Sequence, residues 1–133
     1  MFQIERFDHV GLRVSDLARA QSFYEKLGFR ADPMEESPRG RARGLVNDDG
    51  VRIHLIYNAD GPVDANILMD VPAKYPGYTH AAFIVDDLDA LVSWLEHEKI
   101  AITEGPSAFG NGRRKVCFIR DPDRNVVEFN QIL

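Results

Sequence analysis

The chain lacks three features that would each indicate a class of protein. It has one cysteine, Cys117, among 133 residues, so no internal disulfide can form, and we expect a buried, unreactive thiol. No apolar run approaches the ~20 residues of a membrane span, and the amino terminus shows no basic region followed by an apolar stretch. Sixteen basic against 21 acidic residues give a net charge of −5, which disfavours nucleic-acid binding. We therefore expect a cytoplasmic protein without a membrane or nucleic-acid partner.

One stretch of sequence occurs twice. Residues 7–17 read FDHVGLRVSDL and residues 78–88 read YTHAAFIVDDL, with four positions matching at a constant offset of 71. In the first copy, an alternating strand pattern leads to Ser15 or Asp16, either of which suits a helix N-cap, and Asp87 of the second copy stands at the position of Asp16. Apolar residues at helical spacing follow, which predicts helices over 16–27 and 88–99. The chain therefore consists of two copies of one unit.

Each half continues with three further strands, which makes both halves βαβββ. An Asp-Gly turn at 47–50 between apolar runs is typical of a hairpin. We expect these further strands at 29–31, 45–46, 51–58, 100–103, 116–120 and 126–132. The intervening residues 33–44 and 104–115 are predicted to be long loops that act as lids.

The repeat predicts an α+β fold in which two tandem βαβββ modules form curved mixed sheets around a metal-binding cavity. We take residues 1–133 as a single domain. Module one is expected at about 4–58, a linker at about 59–76 and module two at about 77–132.

Residue types that bind metals fall at corresponding places of the repeat. His9 and His80 lie in the first strands, and His54 and Glu128 lie in the last ones. Strand alternation turns all four away from the apolar faces. One strand histidine alone is more often a hydrogen-bonded core residue than a ligand, but three of the chain's four histidines share this pattern. Such a set suits Zn²⁺, Ni²⁺, Co²⁺ or Fe²⁺ better than Mg²⁺ or Ca²⁺.

Two further polar residues share strand faces with these candidates. Arg13 shares a face with His9, and Asn58 shares one with His54. An arginine guanidinium can hold a carboxylate through two hydrogen bonds. An ordinary surface ion pair explains Arg13 equally well from sequence alone.

Over nearly its whole length the chain resembles the vicinal oxygen chelate superfamily. The resemblance rests on DHVGLRV, FYEKLGF and the closing DPDRNVVEF. The superfamily includes glyoxalase I, extradiol dioxygenases, methylmalonyl-CoA epimerase, and fosfomycin and bleomycin resistance proteins. The usual turn DPDG is DPDR here, so either Arg124 or Asn125 is expected to take a left-handed conformation.

The chain is most similar to glyoxalase I. That resemblance implies metal ligands at His9, His54, His80 and Glu128. It implies that Arg13 and Asn58 bind the γ-glutamyl end of glutathione as cosubstrate. Glu128 would be the catalytic base, which moves a proton between adjacent carbons of a metal-bound hemithioacetal. Glyoxalase-like members commonly pair their halves across subunits, which implies a homodimer with two ligands from each chain at each site.

The superfamily offers two other functions. In an extradiol ring-cleaving dioxygenase, His9, His80 and Glu128 would form the facial triad of Fe²⁺, although His54 would then occupy a position that O₂ or substrate needs. In a drug- or metabolite-binding resistance protein there would be no catalysis. Members of that kind typically lose the metal ligands, whereas this chain retains four.

Overall fold

The computed structural model describes all 133 residues and divides them into two compact units, Met1–Pro62 and Val63–Leu133. Each unit has one helix and four strands. In chain order the elements are β1 (Val10–Arg13), α1 (Leu17–Lys26), β2 (Arg30–Ser37), β3 (Ala42–Val46), β4 (Arg52–Ile56), β5 (His80–Ile84), α2 (Leu88–His97), β6 (Ile102–Phe109), β7 (Arg114–Arg120) and β8 (Val126–Ile132). Neither helix is both long and apolar enough to cross a membrane.

The two units have the same sheet topology. The first sheet has the order β1-β4-β3-β2 and the second the order β5-β8-β7-β6. In each sheet the first strand pairs parallel with the last, and the remaining pairs are antiparallel. The predicted α+β fold with two βαβββ modules is therefore confirmed.

Asp16, one of the two N-cap candidates in the first module, and Asp87 at the repeated position are the N-caps of the two helices. The side chain of Asp16 accepts a hydrogen bond from the backbone N–H of Arg19, and that of Asp87 accepts one from Ala90, each at 3.0 Å. Such a bond satisfies one of the donors that a helix leaves without an internal partner at its start. The sequence motif that repeats therefore fixes where each helix starts relative to the strand before it.

Each helix covers a sheet with its apolar stripe. In the first unit the fully buried side chains include Tyr24 from α1 together with Ile53 and Leu55 from β4. In the second unit Leu95 from α2 and Cys117 from β7 are fully buried. Burial raises the pKa of the Cys117 thiol, which confirms the expected buried thiol. Alternation along the strands then leaves the other face of each sheet to the polar candidates.

The prediction of two long loops that act as lids is wrong. Most of residues 33–44 belongs to β2 and β3, and most of 104–115 belongs to β6 and β7, leaving only short turns between the strands. Prolines at 33 and 106 disfavoured strands in the sequence, but β2 and β6 are edge strands. Both prolines also lie where the pairing register shifts, between Ala31 and Glu36 and between Glu104 and Ser107. Proline is tolerated in such places because no ladder hydrogen bond is lost.

Residues 66–70, which precede β5, are hydrogen-bonded to the end of β7 and to the DPDR turn that follows it. Asp70 accepts two hydrogen bonds from the guanidinium of Arg120, at 2.7 and 2.8 Å. The amide of Asn66 donates to the carbonyl of Arg124 at 3.2 Å. Arg124 itself has φ of 68°, so it is the residue that takes the left-handed conformation in place of glycine.

Candidate functional site

The strand registers place the two last-strand candidates at equivalent positions. His54 lies opposite Gly11 in the β1–β4 ladder, and Glu128 lies opposite Ala82 in the β5–β8 ladder. Gly11 and Ala82 are themselves related by the offset of 71. The different offset of 74 between His54 and Glu128 therefore reflects a short insertion between strands, and the two side chains occupy the same place in each unit.

In the first unit the structure brings His9 and His54 together. Their rings are stacked, with centroids 3.6 Å apart and an interplanar angle of 16°. Burial is the main cause that lowers the pKa of His54, and the positive charge that His9 can carry lowers it further. His54 is therefore neutral at neutral pH, which is the form of imidazole that binds a metal ion.

Two carboxylates near this pair were not found by sequence reasoning. Asp8 Oδ2 lies 2.6 Å from Nδ1 of His9, and Glu35 Oε2 lies 4.0 Å from Nε2 of His54. Glu35 lies in residues 33–44, for which the sequence predicts a loop, so alternation assigns it to no strand face. Asp8 stands beside His9 in the sequence, but its hydrogen bond depends on local backbone geometry that alternation does not predict.

In the second unit the structure brings His80 and Glu128 together. Nε2 of His80 lies 3.3 Å from Oε1 of Glu128. The other carboxylate oxygen, Oε2, accepts a hydrogen bond from the amide of Asn130 at 2.9 Å. Asn130 is buried, and its amide oxygen accepts from Arg114 at 3.3 Å. The carboxylate is therefore held through one oxygen while the other faces the imidazole.

Sequence reasoning assigned no role to the groups that hold this second pair. Alternation along β8 places Asn130 on the same strand face as Glu128, but it does not predict the hydrogen bond between them. Thr79 Oγ1 lies 2.8 Å from Nδ1 of His80, and Phe118 makes an edge contact with the same ring at a centroid distance of 5.5 Å. His80 thus has a polar neighbour at one nitrogen and the Glu128 carboxylate at the other.

Arg13 and Asn58 are also in contact. The Nε of Arg13 donates to Oδ1 of Asn58 at 3.0 Å. The corresponding positions of the second unit are Ile84 and Ile132, whose side chains are 60% and 59% exposed. The polar pair therefore occurs in the first unit only, and the second unit has an apolar surface at the same place.

The predicted ligands form two pairs, one in each unit. No group of three or more histidine, cysteine, aspartate or glutamate side chains is arranged to hold a metal ion. Imidazole nitrogen and carboxylate oxygen are donors that suit Zn²⁺, Ni²⁺, Co²⁺ and Fe²⁺. Each pair fits such an ion chemically but supplies two of the four predicted ligands, which is fewer than the three that a catalytic zinc site commonly has.

The comparison with known families agrees with the repeated topology. Residues 6–129 match the sequence model of the Glyoxalase/Bleomycin resistance protein/Dioxygenase superfamily. The chain belongs to this superfamily. Because that match covers both modules, the whole repeat and not one half of it is the unit that the superfamily shares.

Individual relatives within the superfamily are distant. A virulence protein of Salmonella typhimurium is 29% identical over 134 residues, covering 96% of this chain and 85% of that protein. Its crystal structure aligns with a TM-score of 0.69 at 27% identity, covering 99% of this chain and all of the other. A lactoylglutathione lyase of Schizosaccharomyces pombe is 28% identical over 92% of this chain, which spans only 44% of that enzyme.

A solved structure shows the same fold at lower identity. A glyoxalase family protein of Bacillus cereus aligns with a TM-score of 0.72 at 24% identity, covering 99% of this chain and 97% of its own. The fold is therefore the common property of this chain and its structural neighbours.

Proposed function

We propose that this protein is a metal-dependent enzyme of the glyoxalase I type, a lyase or isomerase acting on a small substrate with two adjacent oxygens. The hemithioacetal of methylglyoxal and glutathione is the substrate we favour. The observation that supports this most directly is the repeated pair, His9 with His54 and His80 with Glu128, at equivalent positions of two modules. The distant lactoylglutathione lyase relative supports it further.

The four paired side chains would hold the metal ion. When bound, Zn²⁺, Ni²⁺, Co²⁺ or Fe²⁺ would polarise the substrate oxygens and make the neighbouring C–H bond more acidic. Since one unit supplies two donors, a full set requires two units. We assign them to a homodimer in which each site takes two ligands from each chain.

Glu128 would act as the base. Its Oε2 accepts the amide hydrogen bond of Asn130, which leaves Oε1 as the oxygen oriented toward His80. This oxygen would take a proton from one carbon of the substrate and return it to the next. A positioned carboxylate contributes roughly 10²–10⁴-fold to the rate of such a transfer.

Arg13 and Asn58 would bind the charged end of the substrate. The hydrogen bond from Nε to Asn58 fixes the plane of the guanidinium, and a planar guanidinium recognises a carboxylate through paired N–H donors. The γ-glutamyl carboxylate of glutathione has this chemistry.

The decisive experiment is a turnover assay on protein loaded separately with each of the four metals. Formation of S-lactoylglutathione from methylglyoxal and glutathione is the expected result, with elemental analysis giving the metal content. His80→Gln should lose metal and activity, whereas His97→Gln, on an exposed part of α2, should keep both. Oxygen-dependent consumption of a catechol by the Fe²⁺ form would instead indicate an extradiol dioxygenase. Tight binding of a small molecule without turnover of either substrate would indicate a resistance protein.

A further inference from the structure

The residue before each repeat-related histidine contacts the same ring nitrogen. Asp8 Oδ2 lies 2.6 Å from Nδ1 of His9, and Thr79 Oγ1 lies 2.8 Å from Nδ1 of His80. Asp8 and Thr79 are themselves related by the offset of 71. The contact is therefore a feature of both modules, although a carboxylate makes it in one and a hydroxyl in the other.

We infer that Asp8 is a positioning residue that keeps the proton of His9 on Nδ1 and presents the lone pair of Nε2 to the cation. This inference rests on the proposed metal site. An ionised carboxylate can only accept hydrogen bonds, so the contact requires a proton on Nδ1. In a neutral imidazole the lone pair then lies on Nε2, the nitrogen left available for a metal.

The stacking of the two rings supports this assignment. The hydrogen bond between His9 and Asp8 restricts rotation of the His9 ring, which lies nearly parallel to His54 at a centroid distance of 3.6 Å. One carboxylate thus fixes both the tautomer and the orientation of the ring.

Thr79 makes the corresponding contact in the second module, but with a hydroxyl in place of a carboxylate. A hydroxyl can donate or accept. With Nε2 of His80 facing Glu128 Oε1 at 3.3 Å, a proton on Nε2 suits the carboxylate, and the Thr79 hydroxyl then donates to Nδ1. With a cation on Nε2, the hydroxyl could instead accept from a proton on Nδ1. Asp8 would therefore orient His9 in the metal-free protein, whereas the Thr79 contact would allow either tautomer of His80.

The tautomers are measurable in metal-free protein. Long-range ¹H–¹⁵N correlation spectra at pH 8 should show His9 protonated on Nδ1. Asp8→Ala should shift His9 to the Nε2–H form. Asp8→Asn keeps an oxygen acceptor and should retain the Nδ1–H form in part. The backbone spectra of all variants show whether the fold is kept.

Cobalt affinity tests whether this orientation serves the cation. A partner that orients a metal-binding histidine is worth about 10- to 100-fold in affinity, so Asp8→Ala should weaken Co²⁺ binding by that factor. Asp48→Ala is the matched control, because it removes the same charge and a hydrogen bond of the same 2.6 Å length, to Arg30. It should bind Co²⁺ as the wild type does.

The outcomes separate this inference from the proposed function. His9 found in the Nε2–H form in wild-type protein would overturn the inference, whatever metal binds. Equal Co²⁺ affinity of Asp8→Ala and wild type would overturn it as well. Failure of the wild type to bind any of the four metals, with His9 in the Nδ1–H form, would overturn the proposed function while supporting the orientation of His9 by Asp8.

Discussion

Gly28 and Lys99 occupy the same position at the ends of the two helices. Both have positive φ, 99° and 58°. In each case the residue donates to the carbonyl three residues back and the next residue donates to the carbonyl five residues back, at 2.9 to 3.1 Å. This is the Schellman arrangement, in which glycine is favoured because it has no Cβ. The first module has glycine there, and the second has lysine.

Replacing Lys99 with glycine should therefore stabilise the protein. A left-handed conformation costs an L-residue about 1–2 kcal/mol, part of which is offset by the greater entropy that glycine loses on folding. We expect Lys99→Gly to raise the free energy of unfolding by about 0.5–1 kcal/mol, measured by urea denaturation.

Gly28→Ala is the reciprocal control. A Cβ at Gly28 would meet nothing within 4 Å, so its effect reports the backbone conformation and not a clash. It should lower stability by a similar amount. A stability unchanged in both variants would show that the left-handed positions carry no strain.

The modules could be predicted from the sequence, because the pattern of the strand and helix that begin a module occurs twice in the chain. Capping rules leave Ser15 or Asp16 for the first helix, and the structure selects Asp16. The faces of His54 and Glu128 follow from alternation, and the structure confirms them. Elements with a clear period of two or 3.6 are the ones that such rules detect.

The same rules predict only the start of each edge strand, at 29–31 and 100–103, and not its continuation through a proline. Pro33 and Pro106 are strand breakers in a central strand, and only the sheet order shows that they lie in edge strands at register shifts. The same holds for Glu35, which approaches His54 from one of these strands. The position of such a residue relative to the site depends on how the edge strand pairs in the folded protein, and local sequence patterns do not predict that pairing.

Removing the proposed base should greatly slow turnover without removing the metal. Glu128→Gln keeps the size and one oxygen donor of the side chain but cannot take a proton. We expect the rate of proton transfer to fall by roughly 10²–10⁴-fold, with metal content by elemental analysis close to wild type. Glu96→Gln, at an exposed position of α2, is the matched substitution and should leave both unchanged. Full turnover in Glu128→Gln would assign the base elsewhere.

Loss of the Arg13 guanidinium should affect substrate binding more than the chemical step. A hydrogen bond to a charged group is worth about 1.5–3 kcal/mol, or roughly 10- to 100-fold. Because a remote carboxylate is bound equally in the ground and transition states, Arg13→Ala should raise KM for a glutathione-linked substrate by that factor and leave kcat nearly unchanged.

Asn58→Ala tests the same pair from its other side. It removes the oxygen that accepts from Nε of Arg13, so it should raise KM less than Arg13→Ala does. Arg39→Ala removes an exposed arginine and should leave KM as it is. An unchanged KM in Arg13→Ala would mean that the guanidinium contacts no substrate.

The ion pair between Asp70 and Arg120 should make stability depend on pH in the acid range. Asp70 accepts two hydrogen bonds from Arg120 and one from the backbone N–H of Asn66. These bonds hold the pKa of the Asp70 carboxyl far below its ordinary value. A group with a depressed folded pKa contributes stability above its unfolded pKa and loses that contribution as the pH falls toward the folded value. The loss should therefore begin near pH 4, the ordinary pKa of aspartate.

Asp70→Asn removes this contribution at every pH. The difference in unfolding free energy between wild type and Asp70→Asn should be constant from pH 7 to about 5 and should shrink below about 4, which urea denaturation at a series of pH values can measure. Asp64→Asn removes an exposed carboxylate in the same unit and should show no such trend. A difference for Asp70→Asn that is as large at pH 3 as at pH 7 would mean that the ion pair does not stabilise the fold through its charge.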